Sequence, residues 1–156
     1  MTINLVCVGN IKEKFYVDAI KEYQKRLNAF CKLNIIEVQE FNFNNPTTSE
    51  IEIIKQNEAK EIKKHLTKFN VLFNIKGENF TSVEFANFIS KKQLEGISEI
   101  TFIIGGSFGV SDEIKNLVQF NLSFSKLTFP HQLFRVMCLE QIYRAFTIIN
   151  NKTYHK

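Results

Sequence analysis

The chain has 156 residues, of which 44% are hydrophobic, and its 20 lysines and arginines against 16 aspartates and glutamates give a formal net charge of +4. This length and balance predict one domain, residues 1-156, with a sizeable core, and they argue against a disordered chain. No apolar run reaches the ~18 residues of a membrane span and the first residues lack a charged leader, so we expect a cytoplasmic protein with no membrane partner.

The three cysteines, Cys7, Cys31 and Cys138, stand far apart and in no ligand pair. We therefore expect buried reduced thiols, with neither a disulfide framework nor a metal site. The net charge is concentrated near the C-terminus, because residues 120–156 hold five basic residues and a single acid, Glu140, whereas the rest of the chain is balanced. This concentration modestly favours a nucleic-acid partner.

The first half of the chain alternates strand and helix patterns. Ile3 to Val8 is a short apolar run, interrupted only by Asn4, that predicts a buried strand, and Leu33 to Phe41 alternates as a second strand would. Between them lies a helix pattern with one apolar stripe. Its members are Phe15, Ala19, Tyr23, Leu27 and Phe30. Ser49 and Glu52 are a candidate capping box for the next helix.

The same alternation continues beyond this helix. Val71 to Ile75 predicts a third strand and Ile100 to Ile104 a fourth. Thr81 and Glu84 form a second candidate capping box for the helix between them. Ser111 is placed to open a short helix after the fourth strand.

Two further elements complete the pattern. Leu122 to Phe129 predicts a fifth strand and Gln132 to Ile149 a closing helix. Strands that alternate with helices predict an α/β fold with a parallel sheet and helices on both faces. The closing helix is apolar nearly all round, which predicts that a second copy of the chain covers part of it.

The run Gly105–Gly109, GGSFG, follows a strand and precedes a helix. Open α/β sheets bind ligands at such places, because glycine lets backbone amides approach closely. The run lacks the spacing of GxGxxG and the lysine of a phosphate loop, which disfavours a dinucleotide site or a nucleotide hydrolase. A glycine turn required only by the backbone is an equally good interpretation of this motif.

Several segments together point to one family. They are IIGGSFGVS (103–111), LSFSKLTFPHQLFRV (122–136), EQIYRAF (140–146), the terminal YHK and the opening LVCVGNIKEKFYVDAIKEYQKRL (5–27). Over its whole length the chain resembles the ribosomal RNA large-subunit methyltransferase H family, of the SPOUT class of S-adenosylmethionine-dependent enzymes. One small difference is Phe73, where members of this family more often carry leucine.

The resemblance implies a homodimer whose chains carry a C-terminal trefoil knot. It also implies N3-methylation of a pseudouridine in 23S ribosomal RNA, within the assembled ribosome, with S-adenosylmethionine as the methyl donor. The residues implied in cofactor binding are Phe73, Gly105, Phe124, Ser125, Lys126, Leu127, Thr128 and Phe129. Pattern reasoning alone excludes knots by default, so the knot rests on the resemblance.

The reaction needs a methyl donor held in line and a group that handles the N3 proton of the base. His155 and Tyr154 are candidates for the proton and Arg144 for stabilising the negative charge. Without the resemblance, an ordinary helix ion pair between Arg144 and Glu140 and a disordered tail would be favoured. Arg135 lies nine residues from Arg144, about 180° around a helix, so the two cannot serve one site within one subunit.

Two other functions remain open on the sequence. A non-catalytic ribosome-binding factor on the same fold would bind RNA without affinity for the cofactor. A cofactor enzyme that acts on a small molecule is the second, because the mild net charge does not require RNA.

Overall fold

The computed structural model describes residues 1–156 and contains five strands that alternate with five helices. The strands are β1 (Thr2–Val8), β2 (Lys32–Val38), β3 (Asn70–Asn79), β4 (Glu99–Ile104) and β5 (Phe120–Ser123). The helices are α1 (Lys14–Leu27), α2 (Thr48–Lys63), α3 (Ser82–Leu94), α4 (Asp112–Leu117) and α5 (His131–Ile149). The predicted order of elements is confirmed.

The strands form one sheet in the order β2-β1-β4-β3-β5, and every neighbouring pair is parallel. The predicted parallel sheet is therefore confirmed. Because the strands run the same way, their carboxyl ends meet at one edge of the sheet. The loops that follow β3, β4 and β5 are brought together there, which places the glycine run beside the segment after β5.

Helices cover both faces of the sheet, as predicted. Successive residues of β1 show the division, since Leu5 packs with α1, α3 and α5 whereas Val6 packs with α2 and α4. This alternation follows from the two-residue period of a strand. The three cysteines are free and buried, as expected. No helix combines the length and the apolar character needed to cross a membrane.

The N-termini of α2 and α3 can be compared with the two predicted capping boxes. The box formed by Thr81 and Glu84 is confirmed at α3. The Ser49–Glu52 prediction is wrong, because α2 is capped two residues earlier: the Glu50 amide donates to Thr47 Oγ1 at 3.3 Å and the Thr47 amide to Glu50 Oε2 at 2.7 Å. The two pairs have the same spacing, and the helix begins at the first of them.

The fifth strand is shorter than predicted and shifted toward the N-terminus. It pairs only with β3, and from Phe124 the chain leaves the sheet. Ser125 makes the turn: its carbonyl accepts from Ser123 Oγ at 2.9 Å and its Oγ from the Leu127 amide at 3.0 Å. β3 also runs to Asn79, beyond the predicted end, through an irregular pairing with β5.

The closing helix α5 packs between α1 and α3. Ile142 and Phe146 are 0% and 2% exposed and belong to the core of their own subunit. Much of the apolar character of α5 is therefore explained without a second chain. Leu133, at 36% exposure, and the half-buried Met137 remain on its outer face.

Candidate active site

A cavity of about 430 Å³ lies at the carboxyl ends of β3, β4 and β5. Its walls are the Gly105–Gly109 loop, the Phe124–Phe129 segment and the first turn of α5. Cavities of ~300–1,000 Å³ hold cofactors and drug-sized ligands. The position is the edge where open parallel sheets bind ligands.

The glycine loop is closely packed, so its sequence is required by its shape. A Cβ on Gly105 would lie 2.7 Å from Val110 Cγ1, and Gly109 has a φ of +78°. The Gly109 amide donates to the Gly106 carbonyl at 2.9 Å, which closes the turn. A bulky side chain at Gly105 would therefore disturb the loop itself as well as the space that a ligand needs.

The structure brings together most of the residues implied in cofactor binding. The cavity wall includes Phe73, Gly105, Phe124, Ser125, Leu127, Thr128 and Phe129. Lys126 is exposed and is not part of this wall. Leu127, its neighbour, lines the cavity and is 71% exposed.

Phe73 anchors the apolar part of the wall. Its ring meets the rings of Phe124 and Phe134 edge-on at centroid distances of 5.0 and 5.2 Å. On another side it stacks on Phe102 at 5.7 Å. The aromatic side chain thus ties β3, β4, α5 and the segment after β5 into one rigid surface.

The wall has three ionisable residues, Lys55, Lys115 and His131, and sequence reasoning assigned none of them to the site. The two lysines form ion pairs with acids on their own helices, Lys55 with Glu52 at 3.3 Å and Lys115 with Asp112 at 2.9 Å. His131 is the first residue of α5. No pattern along the chain links α2 to the glycine loop, so spacing gave no signal for the lysines.

The three candidate catalytic residues meet at the far end of α5. Arg144 Nη2 donates to Glu140 Oε1 at 2.7 Å, and the Tyr154 hydroxyl donates to the same oxygen at 3.1 Å. The Arg144 guanidinium lies 4.7 Å from the Tyr154 ring centroid, and its Nη1 is 3.4 Å from His155 Nδ1. The hydrogen bond that Arg144 donates to the Glu140 carboxylate raises the pKa of Arg144 above its usual value. We call Glu140, Arg144, Tyr154 and His155 the tail cluster.

The tail cluster and the cavity are not adjacent within one chain. Phe134 is the last residue of α5 on the cavity wall, and Arg144 lies ten residues further along the helix. At a rise of 1.5 Å per residue, this is about 15 Å. None of the four tail-cluster residues lines the cavity.

The basic C-terminal end is less cationic at its surface than the sequence indicated. Arg135 is 2% exposed and pairs with Glu37 at 2.9 Å, and its Nη2 donates to the carbonyls of Val8 and Gly9 at 2.7 Å each. Arg135 therefore fixes the start of α5 against the end of β1. The separation of Arg135 from Arg144 that the helix period predicted is confirmed.

The fold and the cavity define a parallel α/β protein built to hold an organic ligand or cofactor at the carboxyl edge of its sheet. The chain belongs to the SPOUT methyltransferase family, since the family model described as "Predicted SPOUT methyltransferase" matches residues 1–155. It is 50% identical to the ribosomal RNA large subunit methyltransferase H of Clostridium botulinum (strain Kyoto / Type A2) and 48% identical to that of Clostridium kluyveri (strain NBRC 12016), each over 100% of both chains.

The fold is also similar to a solved structure. A probable methylase family protein from Haemophilus influenzae Rd KW20 superposes with a TM-score of 0.55 over 99% of this chain and 70% of that chain. Its sequence identity is 11%, so the likeness concerns the fold alone.

Proposed function

We propose that this protein is an S-adenosylmethionine-dependent methyltransferase that modifies N3 of a pseudouridine in 23S ribosomal RNA, on the assembled ribosome in the cytoplasm. The observation that carries the proposal is a cavity walled by the glycine loop and the Phe124–Phe129 segment, in a chain 50% identical over its full length to a ribosomal RNA large subunit methyltransferase H.

The cavity fits this cofactor. Its volume of about 430 Å³ and its mixed wall, with 11 hydrophobic residues of 22, suit a ligand that has both a flat apolar ring and polar ends. S-adenosylmethionine, when bound, supplies an activated methyl group on its sulfonium. The chain has to bind the cofactor and orient its methyl group. The tightly packed Gly105 turn and the rigid aromatic surface around Phe73 are suited to this.

The tail cluster is proposed to handle charge and proton at the RNA base. Arg144 and the Tyr154 hydroxyl are donors that can turn toward negative charge on the base as N3 loses its proton. His155 faces Arg144 through Nδ1, so in the neutral tautomer that accepts this contact Nε2 carries the proton and is a donor. Once Arg144 turns toward the base, Nδ1 is free to accept a hydrogen bond from it.

Two chains are proposed to build each site. The tail cluster of one chain lies about 15 Å from its own cavity along α5, whereas methyl transfer requires the donor and the proton acceptor to meet. A homodimer in which the tail of one subunit reaches the cavity of the other satisfies this requirement. The half-exposed Leu133 and Met137 on the outer face of α5 support such a contact. The C-terminal trefoil knot of the family is part of the same proposal.

Methyl transfer tests the proposal. Ribosomes that lack the modification are incubated with the protein and S-adenosylmethionine carrying a labelled methyl group, and the labelled base is mapped. We expect label at N3 of one pseudouridine in 23S RNA. No label in ribosomes, subunits or free RNA would remove the enzyme assignment. Calorimetry with S-adenosylmethionine distinguishes the enzyme from the alternative function, since a non-catalytic ribosome-binding factor would bind ribosomes but not the cofactor.

A further inference from the structure

Glu58 is a buried carboxyl that packs directly behind the glycine loop. It lies on α2 and is 3% exposed. Its Oε1 accepts a hydrogen bond from the Phe41 amide at 3.2 Å. A Cβ on Gly106 would lie 2.6 Å from Glu58 Oε2 and 3.0 Å from Oε1, so only a glycine fits between the carboxyl and the cavity.

The protonation of Glu58 is poised near neutral pH. Burial raises the pKa of this carboxyl to about 7, the charge of Glu40 adds to the rise, and the Phe41 amide opposes it. Two nearby lysines are already paired, Lys55 with Glu52 on α2 and Lys115 with Asp112 on α4. Lys60 on α2 makes no ion pair and is exposed to solvent. A new positive charge nearby would therefore shift Glu58 toward its ionised form.

The cavity is the place where such a charge would arrive. Gly106 lines the cavity and Glu58 does not, so backbone without a side chain separates the carboxyl from the ligand space. The wall contains no aspartate or glutamate. Glu58 is thus the carboxyl packed behind that wall, in surroundings where water does not screen its charge well.

We propose that Glu58 makes the site prefer the positively charged sulfonium of the methyl donor to the neutral thioether left after transfer. The inference rests on the proposed function, because it requires S-adenosylmethionine as the ligand. When the sulfonium binds, Glu58 loses its proton to solvent and the carboxylate attracts the ligand. When the methyl group has left, the attraction disappears, Glu58 takes a proton back, and the product is held less tightly.

Two consequences can be measured. Binding of S-adenosylmethionine near pH 7 releases a fraction of a proton, up to about one half, because a group at its pKa is half protonated. Binding of S-adenosylhomocysteine releases none from this group. If binding of the sulfonium lowers the pKa of Glu58 by one unit, the site prefers S-adenosylmethionine to S-adenosylhomocysteine by about tenfold once Glu58 is fully ionised, above pH 8.

The experiment is calorimetric titration of the full-length protein with S-adenosylmethionine and with S-adenosylhomocysteine. Each titration is run from pH 6 to 8.5 in buffers of different ionisation enthalpy, which gives the number of protons exchanged. The variant is Glu58→Gln, and Glu61→Gln is the control on the same helix, at a side chain that is 31% exposed and does not line the cavity.

We expect the wild type and Glu61→Gln to release protons with S-adenosylmethionine only. In Glu58→Gln this release is absent and the preference for the sulfonium at high pH falls by about tenfold. Equal proton exchange with both ligands in the wild type overturns the inference, even if Glu58→Gln fails to fold. A preference unchanged in folded Glu58→Gln also overturns it. Failure of the wild type to bind either ligand would instead contradict the proposed function.

Discussion

Replacing Arg135 with methionine removes a buried cation that joins α5 to the end of β1. Methionine keeps most of the length and packing, but the carbonyls of Val8 and Gly9 lose donors at 2.7 Å and Glu37 loses one at 2.9 Å. Hydrogen bonds to charged groups contribute about 1.5–3 kcal/mol each. Glu37 is 36% exposed and can be solvated again, so the two carbonyls dominate the loss.

A partial gain offsets this loss. Arg135 Nε is buried with no hydrogen-bond partner, and the substitution removes that atom. We therefore expect Arg135→Met to lower the free energy of unfolding by about 3 kcal/mol, the low end of the 3–5 kcal/mol for breaking a buried ion pair. Domains of this kind are stable by about 5–15 kcal/mol, so the variant should still fold.

Urea unfolding at pH 7 measures the effect. Arg26→Met is the matched control, because Arg26 pairs with Glu22 at 2.8 Å with side chains 41% and 51% exposed. That exposed pair should contribute less than about 1 kcal/mol. Equal losses in the two variants would refute the reasoning, since burial of Arg135 would then not distinguish it from a surface residue.

Three further outcomes follow from the site. Leu127→Ala removes an exposed part of the cavity wall and should weaken S-adenosylmethionine binding about tenfold in calorimetry, with little change in stability. Leu94 lies on α3 and is 87% exposed, so the control variant Leu94→Ala should leave binding unchanged. Tyr154→Phe loses the hydrogen bond to Glu140 and should lower kcat about tenfold while the cofactor Kd is unchanged; an equal rise in Kd would place Tyr154 at the cofactor. The pKa of Glu58 is about 7 in the folded protein and 4.5 in an ordinary carboxyl, so between these pH values the folded chain binds more protons than the unfolded chain. The free energy of unfolding, measured in urea titrations, should therefore fall as pH rises through this range. This pH-dependent contribution should be missing in Glu58→Gln.

The sheet could be predicted from the sequence where strands are buried on both faces. Ile3 to Val8 and Ile100 to Ile104 are apolar runs with one polar residue each, Asn4 and Thr101, and they are bounded by polar residues or glycine. Both became central strands within one residue of the expected limits. The prediction of a strand from Leu122 to Phe129 was wrong in its bounds, because the apolar residues after Ser123 line the cavity wall and do not join the sheet. An apolar run does not show which of these two surfaces it will cover.

The site was predicted only in part. The glycine run marked its position, because the packing that forbids a side chain at Gly105 needs glycine in the sequence. The tail cluster rested on the family resemblance, since helix spacing gave only the Glu140–Arg144 pair. Glu58 was missed although it carries a signal: it stands four residues from Ile54 and four from Ile62, on the apolar stripe of α2. A lone carboxylate on a buried stripe marks a group with a perturbed pKa.

The central claim is that one active site combines the cavity of one chain with the tail of another, and mixed dimers test it most directly. One partner lacks residues 153–156 and keeps its cavity. The other carries Leu127→Arg, which places a bulky cation on the exposed cavity wall and should prevent binding of the cationic cofactor. Calorimetry first verifies that the truncated protein binds S-adenosylmethionine and that Leu127→Arg does not.

Methyl transfer to ribosomes is then measured for each variant alone and after subunit exchange in an equal mixture. Each variant alone should be inactive. The mixture should recover about a quarter of wild-type activity, because half of the dimers are mixed and each holds one complete site of two. Mixed dimers that are isolated, shown to contain both chains and found inactive would contradict a site shared between subunits.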